Sequence, residues 1–129
     1  MLKETIICIV IIIAIIFGDK ATANFTTEVV SQLSSELTSL REEITQDNYQ
    51  KQQLQEKMEA IYQKWKQKHD KLAYYIEHDE LEKVETDFVS IKSYLETEEY
   101  EEATSQLDKS VFVLKHIEDK YDFNLQNVF

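Results

Sequence analysis

The chain has no proline, one glycine (Gly18) and one cysteine (Cys8). Each scarcity excludes something. Sheets joined by tight turns draw on Gly, Asn or Pro at special backbone angles, and beyond Gly18 the chain offers neither Gly nor Pro. Its Glu, Lys, Gln and Leu favour helix instead. Cys8 lies inside an apolar N-terminal run, so the remainder has no thiol for a disulfide or for nucleophilic chemistry. A lipoprotein cysteine would follow such a run; this one sits near its start and reads as a small apolar residue. Without Gly there is neither a phosphate-cradling loop nor a Gly-x-Ser-x-Gly elbow. Carboxylates are many, but they fall at solvent-face spacings. No catalytic, cofactor-binding or metal-ligating residue is therefore assigned, and the chain is not expected to be an enzyme.

Positive charge is also scarce. Fourteen basic residues face 25 acidic ones, a net charge of −11. Residues 24–76 hold 8 acidic and 7 basic side chains, whereas residues 77–129 hold 15 and 5. A surface this acidic repels phosphate backbones, which argues against nucleic acid as a partner. The one basic cluster is Lys64, Lys66, Lys68, His69 and Lys71. It reads as a solvated helix face, or as a contact for anionic lipid or for the acidic half of the protein itself.

What the chain does have, at its very start, is an uncharged segment over residues 5–18 with an unbroken apolar core over residues 6–17. Twelve residues at about 1.5 Å each reach about 18 Å, short of a hydrocarbon core of about 30 Å. That length suits the apolar region of a secretory signal, and Ala21-Thr22-Ala23 offers a cleavage site before Asn24. The rival is an uncleaved single-pass anchor, with Lys3 and Lys20 reaching the interfaces and the bilayer thinning locally. Both place residues 24–129 outside the cytoplasm when the amino terminus stays inside, an orientation the slight charge difference favours. Residues 1–23 are thus expected to be a signal peptide or signal anchor, with membrane lipid a partner through residues 5–18.

The rest reads as helices. A heptad register from Val30 places Val30, Leu37, Ile44, Met58, Trp65 and Leu72 on one seam with Leu33, Leu40, Leu54, Ile61 and Tyr75. Asp47 and Lys51 interrupt it, four residues apart and able to pair on a helix surface; Lys68 interrupts it again. One long helix is expected, with a charged joint at Asp47–Lys51 that is either crossed unbroken or bent. Residues 24–51 have no evident partner within the chain. They are expected to be a helical spacer or a coiled-coil segment, with Val30, Leu33, Leu37, Leu40 and Ile44 the candidate self-association seam.

Residues 52–129 are expected to form an antiparallel three-helix bundle, from helices over 54–76, 80–96 and 98–119. Asp79 is the expected N-cap of the second, ahead of Leu81, Val84, Phe88, Ile91 and Leu95. Thr97 is the expected N-cap of the third, whose stripe is Tyr100, Ala103, Leu107, Val111, Leu114 and Ile117. Trp65, Tyr62, Tyr75, Phe88, Tyr94, Tyr100, Phe112 and Phe129 would supply core bulk. The apolar tail with Leu125, Val128 and Phe129 is expected to fold back and be buried. His78, at a turn, and His116, late in the last helix, would come near each other among carboxylates. Their spacing matches no standard metal motif, and helix-end roles account for both.

Several pieces in order, QKWKQKHDKL around Trp65, YIEHDELEKVE, IKSYLETEEYEEA and the terminal VLKHIEDKYDFNLQNVF, resemble a bacterial family of small membrane-anchored proteins, the domain of unknown function numbered 4363. The likeness covers the N-terminal apolar segment and residues 54–129. It implies a bacterial, Gram-positive, single-pass protein, and supplies no catalytic residues. The expected role is a membrane-tethered, extracytoplasmic helical module that binds another membrane or envelope protein or acts structurally. The alternative is a ligand- or metal-sensing bundle at the cell envelope.

Overall fold

A computed structural model describes residues 1–47 and 49–128, without the side chains of residues 19, 22, 23 and 121–128. Four α-helices follow one another: α1 (Leu2–Thr45), α2 (Lys51–Leu72), α3 (His78–Glu96) and α4 (Tyr100–Val128). The all-helical expectation holds.

The helix count in the bundle does not. The apolar stripe of α1 was expected to lack an internal partner, yet Val30, Leu33, Leu37, Leu40 and Ile44 are all buried in the same core as the other three helices. Helix α1 packs on α4 and α2, and its interface with α4 is the most extensive in the fold. Residues 24–51 are therefore not a spacer, and their stripe is not an open self-association seam. The reason is physical: burying five large aliphatic side chains is worth about 1.5–3 kcal/mol each, and a cover within the chain costs no association entropy.

The α1–α2 connection makes this possible. The register does not run through Asp47–Lys51: α1 ends at Thr45, and α2 begins at Lys51 and runs back along it. Asp47 takes a left-handed backbone (φ 55°) and its N–H bonds to the Ile44 carbonyl at 3.2 Å. Glycine is the usual residue at such a helix exit, but Asp tolerates it. With no helix spanning this joint, Asp47 and Lys51 do not form an i,i+4 pair on one surface.

The α3–α4 connection is three residues long and equally specific. Glu98 is left-handed (φ 60°). Its N–H reaches the Leu95 carbonyl at 3.4 Å, and the Glu99 N–H reaches Tyr94 at 2.9 Å, the paired bonds of a Schellman helix end. Thr97, expected to open the last helix, instead closes α3; its hydroxyl lies 3.1 Å from the Ser93 carbonyl and 2.6 Å from a Glu99 carboxylate oxygen. Asp79, the other expected N-cap, lies inside α3, whose N-cap is Glu77.

Short connections force neighbours antiparallel, and cross-helix pairs fix the order. Glu43 meets Lys57 and Glu36 meets Lys64 between α1 and α2. Lys92 meets Glu59 at 2.5 Å between α3 and α2. Lys120 reaches Glu77 at 3.4 Å and Glu80 at 3.6 Å between α4 and the start of α3, and Arg41 meets Asp108 between α1 and α4. The sequence α1–α2–α3–α4 thus runs around a four-helix bundle.

Trp65 sits at its centre. It is fully buried, its ring meeting Phe88 edge-on with centroids 5.7 Å apart, and its indole N–H has no hydrogen-bond partner. Phe112, expected in the core, is 73% exposed; Ser110 occupies the inward position, its hydroxyl donating to the Gln106 carbonyl at 2.9 Å. Lys68, the lapse in the α2 stripe, lays its ammonium 5.4 Å from the Phe25 ring centroid. Helix α4 runs past its expected end at residue 119 to Val128. The expected burial of Leu125 and Val128 falls on side chains that are not described, and Phe129 lies outside the described residues.

Candidate functional site

The bundle surface offers little machinery. His78 is exposed, 3.9 Å from Glu82 on its own helix, and His116 is exposed on α4. The end of α4 does return to the α2–α3 turn, but the contact made there is Lys120 with Glu77 and Glu80. Among the described residues no group of three or more His, Cys, Asp or Glu is placed to hold a metal ion.

Open grooves run between helices, among them two of about 530 and 600 Å³. One, about 530 Å³, lies between α2 and α3 and includes Met58, Glu59, Val89 and Lys92. Gln63 and Lys92 hydrogen-bond Glu59 and hold its carboxyl below the usual range. The other, about 600 Å³, lies between α3 and α4 and includes Lys83, Asp87, Gln106, Lys109 and Phe112. There burial pushes the Asp87 carboxyl up from 3.8, against the opposing pull of Lys83, Gln106 and Lys109. Its Oδ2 has no hydrogen-bond partner. At the far end Tyr100 stacks at a tilt on Tyr49, centroids 4.9 Å apart; its hydroxyl is pushed up first by desolvation, then by Glu98. None of these places brings a nucleophile to a base.

The feature that stands apart is the N-terminal arm of α1. Every described side chain from Leu2 to Asn24 is exposed, whereas Thr26 is already buried in the bundle. The arm is therefore about 23 residues of helix standing clear of the core, about 35 Å at 1.5 Å per residue. Its apolar residues cover more than three turns, so they face every direction. Ile6, Ile9, Ile12 and Phe17 are 52%, 50%, 56% and 68% exposed. A helix apolar all round belongs in a protein core or in lipid. Among the described residues no helix is long and apolar enough to cross a membrane, in keeping with the twelve-residue limit of the apolar run.

Phe25 marks where the arm meets the bundle. It is half-buried, with the ammonium groups of Lys68 and Lys71 each 5.4 Å from its ring centroid. The sequence displays the basic cluster but not this meeting, because more than 40 residues separate Phe25 from its lysines. The cluster also divides. Lys64 pairs with Glu36, Lys66 lies 5.0 Å from the Tyr62 ring on another side of α2, and Lys68 and Lys71 turn to α1.

Comparison with curated proteins and with solved structures finds no match. One family does match, over residues 21–128, from just before Phe25 through all four helices of the bundle. The chain belongs to that family, described as Domain of unknown function (DUF4363).

Proposed function

We propose that the protein is a membrane-tethered helical module of the cell envelope, with an interaction or structural role rather than a catalytic one. The observation that carries this reading is the arm: twelve consecutive apolar residues, exposed on all sides, at one end of an otherwise acidic and polar bundle. At about 25 cal/mol per Å² of apolar surface, such a segment is strongly driven to leave water. The same segment serves as an anchor when retained and as a secretion signal when cut after Ala23. Either way the bundle is left whole, since its first buried residue is Thr26. Residues 24–129 are the extracytoplasmic part in this reading. Their partner is another membrane or envelope protein.

The test is fractionation of bacterial cells expressing the full chain. Anchoring predicts recovery in the membrane pellet after alkaline carbonate washing, and digestion of the bundle by protease added outside the cells. Cleavage predicts a shortened product beginning at Asn24 in the medium. The pair Ile9→Lys and Ile12→Lys should abolish both. A full-length chain that stays soluble in the cytoplasm would contradict the proposal.

A further inference from the structure

We propose that the corner of the bundle formed by Phe25, Lys68 and Lys71 is a docking surface for anionic phospholipid headgroups. It rests on the tether reading for its distance from the lipid. Three observations converge on it. First, Lys68 and Lys71 are held in place by an aromatic ring rather than by a carboxylate. Lys57, Lys64, Lys92, Lys120 and Arg41 all reach Asp or Glu, whereas the contacts recorded for Lys68 and Lys71 are to Phe25. Among the described residues neither ammonium meets a carboxylate.

Second, the corner is continuous with the arm. Phe17, the last residue of the apolar run, lies eight residues before Phe25 on one helix, about 12 Å at 1.5 Å per residue. The headgroup layer adds about 5–7 Å on each side of the hydrocarbon core. With Phe17 at the edge of the hydrocarbon core, Phe25 with Lys68 and Lys71 on its ring stands about 5–7 Å beyond that layer, within the roughly 10 Å over which charges act through physiological salt.

Third, the charge around the corner sets a direction. At this end of the bundle Glu77 and Glu80 at the start of α3 both lie on Lys120, and Asp79 on α3 with Glu118 and Asp119 on α4 add carboxylates to that side. An anionic surface attracts the α1–α2 edge and repels the α3 edge, so the bundle leans onto α2. Glu28 on α1 and Asp70 on α2 oppose this, so the preference is set by the balance between them and the two lysines. The partner whose chemistry fits is a lipid surface bearing phosphate without a compensating amine.

The test uses the full chain with vesicles of phosphatidylcholine alone and of phosphatidylcholine mixed with phosphatidylglycerol, measured by co-sedimentation at low and physiological salt. Insertion of the arm is common to both vesicles, so the anionic-to-neutral ratio of partition coefficients isolates the headgroup contribution. Each cation near such a surface multiplies partition about fivefold. The ratio should therefore fall on the order of 25-fold in Lys68→Gln/Lys71→Gln, survive in Lys68→Arg/Lys71→Arg, and shrink with salt. Lys109→Gln/Lys115→Gln, with the same net charge change on α4, should leave it unaltered. A ratio unmoved by the first pair, or moved equally by the α4 pair, overturns the surface. Binding to neutral vesicles with no anionic preference sinks the surface and keeps the tether. Lysine-dependent binding to anionic vesicles alone keeps the surface and sinks the tether, and binding to neither sinks both.

Discussion

Trp65 is where the packing can be tested most sharply, because two effects there oppose each other. The side chain is fully buried and meets Phe88 edge-on, so Trp65→Ala removes the largest side chain in the core. Truncating such an aromatic costs about 3–5 kcal/mol, a large share of the 5–15 kcal/mol typical of a domain's whole stability. The indole N–H, however, is buried without a hydrogen-bond partner, and such a group costs about 1–3 kcal/mol. Trp65→Phe deletes that group, keeps an aromatic ring against Phe88, and leaves a smaller void. The void and the relieved N–H are of similar size, so Trp65→Phe should change stability by no more than about 1 kcal/mol. Urea unfolding followed by far-ultraviolet circular dichroism reads both variants, since the Phe variant has no tryptophan emission. In the parent, emission should shift to the red on unfolding. A Phe variant as damaged as the Ala variant would refute the reasoning, and would mean that the indole N–H is satisfied in solution.

Other expectations follow from single positions. Leu37→Ala on α1, at a fully buried site, should cost about 2–5 kcal/mol in the same urea experiment; a change within experimental error would mean α1 does not belong to the core. Glu98→Gly should stabilise by about 1 kcal/mol, because Glu98 holds a left-handed backbone that glycine adopts without strain; a lower melting temperature would show that this turn differs. Asp87→Asn tests the raised carboxyl. Burial lifts its pKa above the unfolded 3.8, so the charged form is disfavoured by folding and the native state loses stability as pH rises through the raised value. The variant should melt higher than the parent near neutral pH and equal to it below pH 3.8. A gap that persists in acid would point to a cause other than charge.

Which faces are apolar was legible in the sequence; what covers them was not. The stripe from Val30 to Ile44 stands out at helical spacing, but its principal cover, α4, begins more than fifty residues later. Periodicity says that a face needs a partner without naming it. The reversal that brings that partner round was hidden because Asp47 and Glu98 adopt backbone angles usually announced by glycine. The stop for α4 was drawn too early for a related reason: no Gly or Pro marks the end, and the helix runs on to Val128. Trp65, Phe88, Leu107 and Leu114 fall where their spacing puts them, whereas Phe112, one position off the stripe, points outward. The arm needed no structure to be seen, because twelve apolar residues beside a −11 chain are visible in composition alone. The Phe25 corner needed the fold, because proximity across helices is set by the turns.

The claim on which the rest stands is that α1 closes the bundle within one chain. Cysteines at Glu36 and Lys64, whose side chains form an ion pair between α1 and α2, test it in a background where Cys8 is replaced by Ser. A short bismaleimide added to the dilute full-length protein should link the two positions within single chains, leaving a monomer that migrates faster on a denaturing gel. Links formed only between chains would mean that the α1 stripe pairs with another molecule, and the four-helix bundle would be wrong.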